Sequence, residues 1–370
     1  MPSSAPQSAP RHAEPPPAPA DQRPLSREDL LATLESWRAT PSMPLLRDQI
    51  AILREAICQP GAAEQLAGLD IDPGYLDAEL AQIAAAQSLE RAFYYLGRLE
   101  KALTTVRTSA INDINLNRWK EYDDIVTDSL WVESRRDRSG GHTAGYWGNF
   151  IPQIPNQMMR RYTKRGEWVI DSFAGSGTTL LEGRRLGRHT LGVELQPEVA
   201  AATVERIGAA ANPHAVTSAI TIGDSREVDW AALLDRHGAR SAQLALLHPP
   251  YFDIIKFSQD ERDLSNARSV DDFLEMLHEV ATNAARVLDT GRYLALVIGD
   301  KYMRGEWLPL GFRAMEAIQQ AGFMLKSIVV KNFEDTTGKR SQKELWRYRA
   351  LVGGFYIFKH EYIFVLQKRT

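Results

Sequence analysis

From residue 167 onward, short runs of apolar residues alternate with longer segments of helical spacing, and few folds can satisfy that order. The runs are 168–173, 191–195, 220–222, 244–247 and 293–298; the helical segments between them include 178–186, 197–211 and 270–288. The runs are mostly apolar instead of alternating with polar residues, so both faces of each strand must be covered. Strand and helix in turn predict a parallel sheet with helices on both sides. After a further helix near 312–320, the runs 324–330 and 355–366 are joined by a polar loop without an obvious helix. Lacking a crossover, those two should pair antiparallel. The expected class is therefore α/β: a Rossmann-like sheet, mostly parallel with an antiparallel last strand, plus an N-terminal helical region.

That N-terminal region reads differently. Leu30, Leu31, Leu34 and Trp37, then Leu45, Ile50, Ile52 and Leu53, then Leu76, Leu80 and Ile83 recur at three and four, interrupted by Pro41, Pro44, Pro60 and Pro73. Several short helices with a common apolar face follow. Residues 1–25 are Pro-rich and hold almost no large apolar side chains, which predicts a disordered tail. The chain thus divides into 1–25, a helical region 26–130, and a sheet domain 131–370. The 370 residues exceed one typical domain, in keeping with two folded units.

Charge and cysteine content narrow the partners. The segment 26–100 carries −6, whereas 131–170 carries +4 and 301–370 carries +7, although the whole chain is only −3. Basic charge gathered on part of a mildly acidic chain is what a polyanion-binding face needs. The single cysteine, Cys58, rules out an internal disulfide and a Cys-based metal site, and suits a reducing cytoplasm. Its place after the apolar run 52–57 suggests a core filler. Without a long apolar stretch or a secretion signal, membrane and secreted readings fall away.

The sharpest local signal is Val169-Ile170-Asp171-Ser172-Phe173-Ala174-Gly175-Ser176-Gly177-Thr178-Thr179. A strand ends in a carboxylate, glycines turn the chain, and hydroxyl residues open a helix whose N-terminus attracts anions. Glu194 ends the next strand, 23 residues beyond Asp171, where a carboxylate can accept from both hydroxyls of a ribose. Together they indicate an adenosine-containing cofactor. The nicotinamide pattern G-x-G-x-x-G is absent, and so is the Gly-Lys-Ser/Thr of a Walker loop.

The stretches DSFAGSGTT and GVELQPE, with His248-Pro249-Pro250-Tyr251 at the end of the fourth strand, resemble the amino-group DNA methyltransferases. That family uses S-adenosylmethionine and holds its target base with Asp, Asn or Ser followed by Pro-Pro-Tyr. The resemblance covers about residues 145–370 and implies cofactor contacts from Asp171, Phe173, Gly175, Gly177, Thr178, Glu194 and Asp224. Phe150 and Pro152 would belong to a segment closing over the methionine part. It further implies methyl transfer to an exocyclic amine, cytosine N4 or adenine N6, of a base turned out of duplex DNA. The closing run 359–365 resembles the family's last strand, a scaffold element in which His360 and Glu361 are not expected to act.

An exocyclic amine is a weak nucleophile because its lone pair is shared with the ring. Acceptors aimed at its N–H bonds favour the pyramidal form that attacks, so positioning outweighs covalent catalysis. Pro249 and Pro250 fix the backbone, and Tyr251 can stack on a flipped base. His248 departs from the family pattern, since an imidazole accepts at one nitrogen only and its tautomer decides which. No metal is needed. With only 71 residues between Gly177 and His248, DNA recognition must lie elsewhere. The basic, aromatic loop 331–349, with Lys331, Lys339, Arg340, Lys343, Arg347 and Arg349 around Trp346 and Tyr348, is the first candidate, 252–266 the second, and Arg135, Arg136 and Arg138 the third. Alternatives are an RNA base-amine methyltransferase and a non-catalytic nucleic-acid-binding module inactivated at His248.

Overall fold

The computed structural model describes residues 26–58, 71–142, 148–332 and 343–369. The Pro-rich residues 1–25 lie outside this set. The chain forms two compact units, one holding the part up to Arg107 with Asn117–Glu121, the other Thr108–Leu116 with the remainder.

The first unit packs α1 (Arg27–Trp37), α2 (Met43–Ile57), α3 (Pro73–Ala84) and α4 (Leu89–Thr104) around Leu30, Leu34, Leu46, Ile50, Leu76, Leu80, Leu96 and Leu99. Ser26 and Asp29 cap α1 reciprocally, and Asp72 Oδ1 accepts from Tyr75 N at 2.8 Å to open α3. Two bidentate pairs tie helices together: Arg38 to Glu100 between α1 and α4, and Arg54 to Asp77 between α2 and α3. Three expectations fail here. Leu45 and Ile52 are exposed because the buried stripe of α2 runs through Leu46, Ile50 and Ile57. Cys58 is exposed too: α2 ends at Ile57, and the thiol turns out to Asp77 Oδ1, 3.7 Å away.

In the second unit, β1 (Leu130–Trp131), β2 (Trp168–Asp171), β3 (His189–Glu194), β4 (Ser218–Ile222), β5 (Ala242–Leu247), β6 (Leu288–Ile298), β9 (Phe323–Asn332) and β10 (His360–Lys368) form one sheet. Their order is β1-β9-β10-β6-β5-β2-β3-β4. The strands β6, β5, β2, β3 and β4 pair in parallel, and β10 runs antiparallel to both β6 and β9. Period-2 sorting fills both faces. Ala245, Leu247, Leu294, Leu296 and Ile298 pack beneath α8 (Trp230–Asp235), α9 (Val270–Val287) and α10 (Leu310–Gln320). Leu244, Leu246, Ala295 and Val297 face the other side, against α5 (Gln153–Tyr162). A small hairpin, β7 (Lys301–Met303) with β8 (Glu306–Leu308), follows β6.

The antiparallel last strand occurs as expected, but the connection is not helix-free. α11 (Lys343–Gly353) lies within it, while Asn332 pairs with His360, so the chain leaves and rejoins the sheet at the same end. That return, and not a missing helix, makes β9 and β10 antiparallel.

The turn between β2 and α6 (Thr178–Leu186) sets the later site. Ala174 N donates to Val193 O at 2.9 Å and Gly177 N to Ala174 O at 2.8 Å, and Gly175 and Gly177 take φ of 47° and 78°. α7 (Pro197–Ala209) presses on the turn: Thr203 Oγ1 donates to Gly175 O at 2.8 Å, and a Cβ on Gly177 would stand 2.6 Å from Thr203 Cγ2. Gly177→Ala should therefore destabilise the fold by about 1–3 kcal/mol in urea denaturation. Adding Thr203→Ser, which removes Cγ2 and keeps the hydroxyl, should recover the steric share and leave the positive-φ share. No recovery would contradict this packing.

Candidate active site

The sheet order reverses once among its parallel strands. The chain moves outward from β2 to β3 and β4, then returns to β5 on the other side of β2. Crevices at the carboxyl ends of strands open at such switch points. Asp171 stands opposite Leu246 in the β2–β5 register, and Ser172 N donates to Leu246 O at 3.2 Å. The glycine turn and His248, two residues past Leu246, thus emerge side by side from neighbouring strands.

The carboxylates follow from these strand ends. Glu194 Oε2 accepts from Gly175 N at 3.0 Å and Oε1 from Gln196 N at 2.9 Å. Leu195 N adds a third backbone donor, and four acceptor positions exist on a carboxylate, so part of its acceptor capacity remains. Burial raises the Glu194 pKa despite those N–H groups. Asp171 accepts from Phe173 N at 2.9 Å and is held up at about 6 by burial, with Glu194 adding like charge. Thr178 is buried at the start of α6, and Phe173 is half-buried. Asp224 lies beside them, since Gly223 N donates to Glu194 O at 3.0 Å, but its carboxylate is clasped by Arg226 through Nε and Nη2, the latter at 2.7 Å. Among the described residues, buried Ser172 Oγ and Asn149 Nδ2 have no hydrogen-bond partner. Orphaned polar atoms beside a glycine turn fit a polar ligand.

The second corner is a buried chain that its own segment does not reveal. His248 Nε2 lies 3.4 Å from Tyr251 Oη, which donates to Glu361 Oε2 at 2.7 Å, and Glu361 Oε1 pairs with Lys331 Nζ at 3.0 Å. Glu361 and Lys331 stand opposite each other on β10 and β9, both almost fully buried. Glu361, expected to be mere scaffold, thus reaches the Pro-Pro-Tyr corner. The Tyr251 ring lies where a Cβ on Gly299 would meet it at 2.9 Å, so that glycine makes room for it. Burial drives the His248 pKa down to about 4 and raises that of Tyr251 well above its usual value. Pro249 is buried and Pro250 half-buried.

The approach segment closes against this corner. The buried Phe150 ring sits 4.9 Å from the His248 ring, tilted by 46°, and Pro152 caps the start of α5. Arg136 Nη1 donates to Phe150 O at 2.9 Å, and burial lowers its pKa. Arg136 therefore braces this segment and is not presented as a free cation for phosphate. The stretch 252–266 folds onto itself, with Arg262 bound to Asp260 and Asn266 Nδ2 to the carbonyls of Ser258 and Asp260. Of the first basic candidate, Lys331 is buried and paired with Glu361, so it does not face a phosphate, whereas Arg347 and Arg349 are exposed on α11, with Arg349 5.3 Å from the Trp346 ring and Tyr348 exposed beside them. Lys339 and Arg340 lie outside the described residues, as does the side chain of Lys343. Among the described residues, no group of three or more His, Cys, Asp or Glu is arranged for a metal, and no helix is long and apolar enough to cross a membrane.

Asp171 makes a pH test available. Its folded pKa of about 6 lies above the ordinary 3.8, so the unfolded chain releases this proton first as pH rises, and the folded state loses stability between those values. Asp171→Asn, which keeps the acceptor for Phe173 N, should raise the unfolding temperature at pH 8 by an amount worth up to about 3 kcal/mol. The gain should vanish at pH 4. A gain independent of pH would contradict the assignment.

Comparison with known proteins bears on the same segments. A 52-residue stretch is 38% identical to the type II methyltransferase M.MjaII of Methanocaldococcus jannaschii, and 87 residues are 31% identical to the type II methyltransferase M2.DpnII of Streptococcus pneumoniae. These stretches cover 14% and 22% of this chain, and 10% and 29% of the relatives' own lengths. Among solved structures, TrmN from Thermus thermophilus is 17% identical with a TM-score of 0.36, over 59% of this chain and 49% of its own. The model of the N6/N4 DNA methylases matches residues 95–205 and 242–370, well over half the sequence and both corners of the crevice. The chain belongs to the N6/N4 DNA methylase family.

Proposed function

We propose that this protein transfers a methyl group from S-adenosylmethionine to the exocyclic amine of cytosine (N4) or adenine (N6) in DNA. The observation that carries the reading is the β2–β5 register, which sets the Asp171 corner beside the His248 corner. One binds what the other uses.

Glu194, through the acceptor capacity its backbone donors leave, would take the ribose hydroxyls. Asp171, Phe173, Gly175, Gly177 and Thr178 would line the glycine turn around the methionine end, with Phe150 and Pro152 closing over it. Asp224 would contact the adenine only by sharing its carboxylate with Arg226, which makes it the most engaged of the set. Bound there, S-adenosylmethionine supplies an electrophilic methyl on a sulfonium. Opposite it, the Pro249 carbonyl and neutral His248 would accept hydrogen bonds from the target N–H groups, drawing the amine lone pair out of the aromatic ring. Tyr251 would stack on the base, its ring fixed by the hydroxyl bond to Glu361. A pKa of about 4 keeps His248 an acceptor throughout the neutral range.

The DNA methylase family and the two type II methyltransferases it resembles favour DNA as the substrate. On this reading, exposed Arg347 and Arg349 on α11, with Lys339, Arg340 and Lys343 preceding them, would meet phosphates, and the +7 charge of residues 301–370 accords with it. A protein with these properties would work on the cytoplasmic side of any membrane.

Incubation with labelled S-adenosylmethionine and DNA of varied sequence, followed by nucleoside mass spectrometry, should yield N4-methylcytosine or N6-methyladenine. Label found only in a parallel structured RNA would move the substrate to RNA, and label in neither would overturn the proposal. In the same assay Tyr251→Ala should lower turnover about tenfold or more by removing base stacking. Cofactor affinity, measured by titration, should stay within about threefold. Equal loss of both would contradict the role given to Tyr251.

A further inference from the structure

His248 stands where the family resemblance expects an oxygen acceptor, and an imidazole fills that role only in one tautomer. We infer that Glu361, acting through Tyr251, holds His248 as the Nε2–H tautomer and so leaves Nδ1 as the acceptor facing the target amine. The substrate in that statement rests on the proposed methyl transfer; the tautomer does not.

A count of hydrogens fixes the direction of the chain from Glu361 to His248. A tyrosine hydroxyl has one, and the 2.7 Å bond to Glu361 Oε2 uses it. Toward His248, 3.4 Å away, the same oxygen can therefore only accept, so Nε2 must carry the hydrogen. A neutral imidazole has a single N–H, which leaves Nδ1 with a bare lone pair. Among the described residues the hydrogen bond of this ring runs through Nε2 and none reaches Nδ1, and the Phe150 ring packs 4.9 Å from the imidazole. Lys331 Nζ, 3.0 Å from Glu361 Oε1, donates only and thus keeps the carboxylate an acceptor; with it the direction of the whole chain is set. Tyr251, Glu361 and Lys331 are the titratable groups that act on this imidazole, and burial keeps it uncharged. Asp, Asn or Ser at this position would need no such help. Glu361 is accordingly a positioning residue: it touches Tyr251 and not the base.

The test reads the tautomer directly. In the full chain labelled with 15N-histidine, long-range proton–nitrogen correlation separates a protonated ring nitrogen from a bare one, and His248→Asn identifies the His248 signals by their loss. Without DNA or cofactor, His248 should appear as Nε2–H. In Glu361→Gln the amide can donate to Tyr251 Oη, which frees the hydroxyl to donate to Nε2, so population should move to Nδ1–H. If Glu361→Gln fails to fold with Lys331 left uncompensated, Tyr251→Phe, which keeps the ring and removes the hydroxyl, should likewise lose the Nε2–H preference. An Nδ1–H tautomer in the unaltered protein, or a tautomer unchanged in these variants, overturns the inference.

A kinetic arm links the tautomer to the reaction. Glu361→Gln should lower kcat on DNA about tenfold, the scale of one well-placed hydrogen bond. Where His248→Asn supplies an acceptor oxygen of its own, the same change should cost less than about twofold. Equal cost in both backgrounds overturns the link. Because the spectra need no substrate, an Nε2–H tautomer in a protein that methylates nothing would count against the proposed reaction and leave the tautomer assignment standing.

Discussion

The parallel pairing of β2 with β5 is the interaction on which the rest depends. Asp171 opposite Leu246 joins two strands that are far apart in sequence and consecutive across the switch point. Shifting that register by one residue would exchange the faces of every side chain on one strand. Leu244 and Leu246 would then leave the face they share with α5, and Ala245 and Leu247 the face beneath α9. The hydrophobic sorting of both faces thus fixes the register, and the register fixes how far the glycine turn stands from His248.

The crevice is assembled at a cost to the free protein. Asp171 and Glu194 are both buried, and burial raises both pKa values in spite of the N–H and hydroxyl donors each is lent. Ser172 and Asn149 add buried polar atoms without partners among the described residues. Such a concentration of unmet polar demand is what binding sites carry and cores avoid. A ligand with hydroxyl and ammonium donors would meet it, which is why the adenosyl reading and the stability argument rest on the same residues.

How much of this was legible beforehand depended on whether the signal was local. The strand–glycine–helix motif and Glu194 follow one another along the chain, and their geometry follows from periodicity and turn chemistry. α11 carries Leu345, Tyr348, Leu351 and Val352 at helical spacing, but the basic residues among them give the stretch the look of a polar loop, and the helix leaves all four exposed. Leu45, Ile52 and Cys58 were misread because apolar composition says little about which face of α2 is inward; only the buried stripe through Leu46, Ile50 and Ile57 decides. Arg136 looked like a free cation because nothing nearby in sequence foretells its bond to the Phe150 carbonyl. Glu361 was invisible for the deepest reason. It meets Tyr251 across 110 residues, and only the sheet order, with β10 inserted between β6 and β9, brings them together.

That insertion gives the antiparallel strand a chemical role on top of its structural one. A strand entering the sheet from the crevice end presents its first residues, His360 and Glu361, at the same edge where the parallel strands present their last. β10 therefore lends a carboxylate to a corner otherwise built from the ends of β5 and β6, and β9 lends the lysine that balances it. Burying that pair would be costly if either stood alone, and their cross-strand register makes them inseparable. An imidazole at position 248 and a carboxylate at position 361 are thus best regarded as one unit, in which the departure from the family's usual acceptor is matched by the residue that orients it.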